Sequence, residues 1–257
     1  MSDPRAVWQN LQGRYVLPDD EVHVWRAPLN WPLDYLDALR GELSADERAR
    51  ADRFRFPADR RRHIIGRGIS RILLGHCLGL PPRSVPLHEG RNGKPGLLPG
   101  PGRPPLHFNI SHSGDFVLIA LARRDLGVDL EFIRVNFETA TLAERFFSPA
   151  ERMSLEALPP TLQRIAFFAI WTRKEAYIKA HGDGLSIPLD AFDVTVSPEQ
   201  EPRLAATRHD ATEAERWTLR DLDMGADYRA AVAAEGTGWH LKCWNWTGEP
   251  LGSGTRR

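Results

Sequence analysis

The first clear pattern is alternation: Glu21-Val22-His23-Val24-Trp25 sets apolar side chains two apart, the spacing of one strand face, and Ala27-Pro28 ends it. Ser44-Ala45-Asp46-Glu47 has the form of a capping box, with Ser44 at the N-cap and Glu47 three residues on. It predicts a helix that continues through 48–56 until Pro57. Over 58–78 the apolar residues Ile64, Ile65, Ile69, Ile72, Leu73 and Cys77 recur at helical spacing, and Gly79 supplies a C-cap. The stretch 81–105, rich in proline and glycine, reads as loop with short strands. Strands follow at 116–122 and 127–132, joined by the turn Arg123-Arg124-Asp125.

The second half begins with a helix at 137–147, after which Ser148-Pro149-Ala150-Glu151 repeats the capping-box pattern with proline at the first helical position. A long helix is predicted over 161–180, ended by His181-Gly182-Asp183-Gly184, and strands at 191–196, 216–222 and 228–234 close the pattern. Both halves combine helices with an antiparallel sheet. The predicted class is α+β in two similar lobes, residues 1–124 and 125–237, with 238–257 as a tail. A duplication is compatible with this, although no internal repeat is visible in the sequence.

Composition narrows the classes. With 257 residues, 42% of them hydrophobic, the chain can fill its cores without disulfides. Cys77 and Cys243 lie far apart, form no metal-ligand spacing and suit a reducing compartment. No apolar run follows a basic patch at the N-terminus, and no stretch approaches the ~18 apolar residues of a membrane span. The expectation is a soluble, cytoplasmic protein without a membrane partner. Lys plus Arg and Asp plus Glu balance at 34 each, which argues against a general nucleic-acid binder. The balance hides a cluster: Arg48, Arg50, Arg53, Arg55, Arg60, Arg61, Arg62, Arg67 and Arg71. It suits either a small polyanion, such as a phosphorylated cofactor, or a solvated helix face.

Three segments carry candidate chemistry. In Gly127-Val128-Asp129-Leu130-Glu131, strand alternation turns Asp129 and Glu131 to one face and Val128 and Leu130 to the other. Two hard oxygen donors without nearby His or Cys suit magnesium better than zinc, or else form an acidic face opposite basic residues. In Trp171-Thr172-Arg173-Lys174-Glu175-Ala176-Tyr177-Ile178-Lys179-Ala180, Glu175 and Lys179 are helical neighbours. They read either as a stabilising pair or as a further oxygen ligand beside a phosphate-binding lysine. Phe108-Asn109-Ile110-Ser111-His112-Ser113-Gly114 reads as a polar turn leading into a strand, able to donate to phosphate or simply to its own backbone. Asn92-Gly93-Lys94-Pro95 adds a lysine on a tight turn.

Taken in chain order, 92–95, 108–114, 127–131 and 171–180, the four segments resemble the signature of the Sfp-type 4′-phosphopantetheinyl transferases. Arg145-Phe146-Phe147-Ser148 and Gly182-Asp183-Gly184-Leu185-Ser186-Ile187-Pro188-Leu189 fit the same family, and the resemblance covers 44–234. It implies a monomer of two similar α+β lobes with coenzyme A in the cleft between them. The first lobe would take the nucleotide side, and the second the metal, the phosphates and the carrier. By the same resemblance, Asp129, Glu131 and Glu175 hold Mg²⁺, and Lys174 and Lys179 neutralise phosphates. Ser111 and His112 would meet phosphates, Lys94 would lie near the adenosine, and Arg50 and Arg62 near the 3′-phosphate. Glu47 departs from relatives that carry a lysine there, which would share its task among Arg48, Arg53 or Arg62. His63 stands where a small hydroxyl residue is common.

The implied reaction transfers the phosphopantetheine arm to a serine of an apo acyl or peptidyl carrier domain, releasing 3′,5′-ADP. Glu175 and Lys179 are the catalytic candidates, with Glu175 taking the serine proton directly or through water. Carrier docking is expected over 133–147, with Arg134 and Arg145 meeting acidic groups and Phe137 or Leu142 meeting apolar ones or packing in the chain's own core. Polyketide, nonribosomal peptide or fatty-acid synthesis would be served. The alternative is a non-catalytic adaptor of the same fold that binds a carrier or a nucleotide.

Overall fold

The computed structural model describes residues 7–90, 95–100, 104–182, 187–208 and 210–251. Among them the chain divides into two compact units, one of Val7–Arg123 with Leu241–Arg257, the other including Arg124–His240. Each unit is a sheet packed with helices, the mixed α+β architecture that the alternating and helical patterns predict.

In the first unit a five-stranded sheet runs in the order β1 (Trp8–Asn10), β12 (His240–Asn245), β2 (Glu21–Pro28), β6 (Phe116–Ala122), β5 (His107–Ser113). Strands β2 and β5 both pair antiparallel with β6, Trp25 opposite Ile119 and Ile110 opposite Ile119 on its other side. Helices α1 (Leu33–Gly41), α2 (Ala45–Arg53) and α3 (Pro57–Leu78) accompany the sheet. The core gathers Trp25, Ile64, Ile65, Ile69, Leu73 and Ile119. The capping box of α2 forms as expected: Ser44 accepts from the Glu47 amide while the Glu47 carboxylate accepts from the Ser44 amide. Pro57 opens α3 at its first turn, and Gly79 caps its end in the left-handed region at φ 66°. A two-stranded ribbon, β3 (Leu87–Glu89) with β4 (Pro95–Leu97), occupies the segment read as loop with short strands.

In the second unit β7 (Leu126–Phe132), β11 (Tyr228–Glu235) and β10 (Trp217–Asp221) form an antiparallel sheet with β11 at its centre. Helix α6 (Pro160–His181) lies on it. Shorter helices α4 (Thr139–Phe146), α5 (Pro149–Glu156) and α7 (Glu213–Arg216) and the ribbon β8 (Phe192–Val194)–β9 (Leu204–Thr207) complete the unit. Its core is aromatic: Phe147, Phe167, Phe168, Tyr177, Phe192 and Trp217 are all buried. No helix among the described residues is long and apolar enough to cross a membrane.

Two expectations change. The segment 108–114, read as a polar turn entering a strand, is itself mostly strand β5, which stands last in the order of the sheet. The described part of the segment read as a tail, 238–251, is not separate. Its β12 inserts between β1 and β2, pairing parallel with β1, and Trp246 buries against the first unit's core.

Candidate active site

The second unit brings Asp129, Glu131, Glu175 and Lys179 together by a close approach of strand and helix. A side chain at Gly127 would place its Cβ 2.2 Å from the Ala176 carbonyl oxygen and 2.3 Å from the Ala180 amide nitrogen. Only glycine on β7, with alanines on α6, lets the two backbones meet this closely. Asp129 and Glu131 follow Gly127 by two and four residues and share its face, while Val128 and Leu130 are buried on the other. On α6, Trp171, Glu175 and Lys179 stand four apart as a half-buried stripe in the otherwise buried stretch 166–180.

Asp129, 4% exposed, accepts a 2.5 Å bond from Lys179 Nζ. Lys179 also reaches the Val128 carbonyl at 3.4 Å. Glu131 stands 4.0 Å from the Arg134 guanidinium. The Glu175 carboxyl is pushed above its ordinary value by burial first and by the negative charge of Asp129 next; Lys179 offsets part of this, and Glu131 adds to it. Among the described residues no three such groups are gathered into a ready-made metal cage. The donor chemistry nonetheless suits a hard divalent cation: the charges of Asp129 and Glu131 both raise the cost of ionising Glu175, and a cation held by the three would relieve that cost.

The structure separates Lys174 from this group. Its ammonium is fully buried on the other side of α6, donating to the Leu189 and Phe192 carbonyls at 2.7 and 2.6 Å and pairing with Glu151 at 2.8 Å. Burial pushes the lysine down and the carboxyl of Glu151 up, each against the pull of the other. Lys174 therefore cannot meet phosphate without leaving the core, a correction to its expected role. Arg173 is equally committed, forked onto Asp221 at 3.0 and 2.5 Å with a further bond to the Thr195 carbonyl.

The first unit holds a basic pocket of about 370 Å³ lined by Arg50, Arg62, His63, Arg67 and His112, with Phe54, Asp59, Gly66, Pro95 and Ile110. Arg50 on α2, Arg62 on α3 and His112 on β5 all line this pocket. Ser111 does not join them: strand alternation turns it to the opposite face, where it is 7% exposed. Arg62 is held by Asp59 at 2.9 Å. Burial is the main force lowering His63, with Arg67 and Arg50 adding to it. Arg48 is turned away, bonded to the Leu43 carbonyl at 2.7 Å. Lys94 and Asn92-Gly93, along with 183–186 of the glycine-rich segment after α6, lie outside the described residues. Within the arginine cluster, the sequence signal for Arg67 is its four-residue spacing from His63 on one helix face.

Comparison with known proteins gives the same division of the chain. A family described as "4'-phosphopantetheinyl transferase superfamily" matches residues 125–233, and one described as "4'-phosphopantetheinyl transferase, N-terminal" matches 31–124. The 4′-phosphopantetheinyl transferase HetI of Nostoc sp. is 40% identical over 240 residues, covering 93% of this chain and 98% of the relative. A 4′-phosphopantetheinyl transferase of Bacillus subtilis is 34% identical over 202 residues, covering 77% of this chain and 84% of the relative. The Sfp transferase of the same species is 34% identical over 153 residues, covering 59% and 66%. With both domains matched and a relative aligned along nearly its whole length, the chain belongs to the 4′-phosphopantetheinyl transferase superfamily, in its two-domain Sfp type.

Proposed function

We propose that the chain moves the 4′-phosphopantetheine arm of coenzyme A onto a serine of apo acyl or peptidyl carrier domains, using Mg²⁺ and releasing 3′,5′-ADP. The observation that carries this reading is the opposition of Asp129 and Glu131 on β7 to Glu175 and Lys179 on α6, within the matched transferase domain. Asp129, Glu131 and Glu175 would hold the cation, which supplies charge neutralisation of the pyrophosphate and of the leaving nucleotide. Lys179 is placed to exchange its bond to Asp129 for one to a phosphate oxygen. Glu175, raised above an ordinary carboxylate and half-buried, is suited to take the serine proton, directly or through water.

The basic pocket of the first unit supports the nucleotide end. Arg50, Arg62, Arg67, His63 and His112 offer donors for a phosphomonoester, and we assign the 3′-phosphate of coenzyme A to it. The carrier is a small acidic helical domain in this reading, docking over 133–147. There Arg134 and Arg145 are exposed, and Val135 is 77% exposed. Phe137 and Leu142 pack against the unit's own core, so Val135 is the stronger apolar contact. Polyketide, nonribosomal peptide or fatty-acid carriers are the substrates, served by a monomeric cytoplasmic enzyme.

The test is mass spectrometry of an apo-carrier incubated with the chain, coenzyme A and Mg²⁺, beside Glu175→Ala. A gain of one phosphopantetheine arm that needs both the cation and Glu175 supports the reading. No gain on several carrier types, with coenzyme A still bound, sinks it in favour of a non-catalytic adaptor.

A further inference from the structure

Beneath the basic pocket lies a carboxylate that does not line it. Glu47, in the first turn of α2, offers Oε2 to Arg71 Nε at 2.5 Å, and its Oε1 stands 3.8 Å from Arg67 Nη1. Its main-chain carbonyl faces His63 Nε2 at 3.2 Å. His63, Arg67 and Arg71 are four residues apart on α3 and share one face. The three differ in how they are anchored. Arg71 is 3% exposed and also donates to the Pro82 and Val85 carbonyls at 2.9 and 3.1 Å, so it belongs to the floor. Arg67 and His63 belong to the wall.

We propose that Glu47 is a positioning residue: its carboxylate balances two adjacent buried guanidiniums and so keeps Arg67 aimed at a phosphomonoester in the pocket. The proposal rests on the reading of that pocket as the seat of the coenzyme A 3′-phosphate. Two effects oppose each other here. As a negative charge near an anion site, Glu47 would repel the ligand; as the counterion between Arg67 and Arg71, it holds a donor in place. Burial and the like charges of Arg50 and Arg71 all weigh against a charged Arg67, and Glu47 offsets them. The repulsion is reduced at its source, because the Glu47 carboxylate is already neutralised by Arg71 at 2.5 Å and Arg67 at 3.8 Å. A charge-assisted bond from guanidinium to phosphate is direct and roughly twice as strong as a neutral one. Positioning therefore outweighs repulsion, and loss of the charge weakens anion binding.

The experiment uses the whole chain and Glu47→Gln, whose amide oxygen can keep the capping box while the charge is lost. KM and kcat are measured with coenzyme A and with 3′-dephospho-coenzyme A on one apo-carrier, and 3′,5′-ADP and 5′-AMP are titrated by calorimetry. The wild type should prefer the 3′-phosphorylated compounds. E47Q should raise the KM for coenzyme A and the Kd for 3′,5′-ADP about tenfold, the factor that corresponds to about 1.4 kcal/mol. The KM for dephospho-coenzyme A and both kcat values should stay put. In an Arg67→Gln background, E47Q should add nothing. Glu47→Asp, which keeps the charge, should restore most of the preference and serves as the reporter if E47Q does not fold.

Unchanged or tighter 3′,5′-ADP binding in E47Q overturns the proposal, as does a Glu47→Asp chain that folds without regaining the preference. A preference kept equally by wild type and E47Q removes the role of Glu47 and leaves the pocket reading intact. A wild type indifferent to the 3′-phosphate removes the pocket reading, and the proposal with it.

Discussion

Lys174 and Glu175 are consecutive on α6 and have opposite fates, because adjacent helical residues point about 100° apart. Lys174 enters the core, where carbonyls and Glu151 surround it; Glu175 joins the half-buried stripe with Trp171 and Lys179. Their substitutions should separate cleanly. Glu175→Gln should lower kcat on the order of a hundredfold, about 3 kcal/mol of transition-state stabilisation, with a melting temperature near wild type. Lys174→Met should do the reverse. It strands the Glu151 carboxylate, costing about 3–5 kcal/mol of stability in urea unfolding, while the KM for coenzyme A at a temperature where the chain is folded stays unchanged. Adding Glu151→Leu should recover only part of that loss, because the Glu151 carboxylate also accepts from the Ser148 and Val194 amides. A Lys174→Met enzyme that is stable but binds coenzyme A poorly would return the lysine to the phosphates.

At the scale of elements, the site depends on the contact between β7 and α6. A Cβ at residue 127 overlaps the α6 backbone rather than a movable side chain, so neither partner can yield locally. Gly127→Ala should therefore push the helix outward, destabilise the chain by roughly 1–3 kcal/mol and cut turnover along with stability, read by thermal melting beside the carrier assay. Much of this geometry was legible in the sequence. Period-two spacing put Asp129 and Glu131 on one face, and period-four spacing paired Glu175 with Lys179. Both capping boxes and the Gly79 cap also form where the residue patterns set them. What escaped was decided at longer range. The burial of Lys174 depends on the β8 segment and α5, and nothing in its own helix announces them. Strand β5 carries Asn, Ser and His, so its composition reads as turn until the pairing with β6 is known. Ser111 and His112, adjacent in sequence, were expected to act together; pairing in a strand is what parts them.

For the whole molecule, one buried and one half-buried histidine, His23 and His63, give stability a dependence on pH. Burial lowers both His23 and His63, although Glu21 at 2.5 Å pulls His23 the other way. In the unfolded chain each titrates near 6.5. As pH falls through that value the unfolded chain binds protons first, so stability declines toward the lower folded values and levels off beneath them. Each group contributes at most about 1.4 kcal/mol per pH unit within that window. Urea midpoints between pH 8 and 5 should show the decline, and His23→Gln should flatten it. A flat profile in the wild type would mean that the two side chains titrate alike in the folded and unfolded chains.

The placement of β12 orders events during synthesis. Residues 124–240 form one continuous stretch and can collapse as soon as they leave the ribosome, whereas the five-stranded sheet lacks an inner strand until residue 245 has emerged. The half of the protein made first is thus the half completed last. During that interval β1 and β2 present unfilled edges, with Trp25 still waiting for the Trp244 and Trp246 rings that pack against it. A translational stall after β11 has emerged and before residue 245 has done so would leave a nascent chain whose exposed liability is the incomplete sheet of the 7–123 unit.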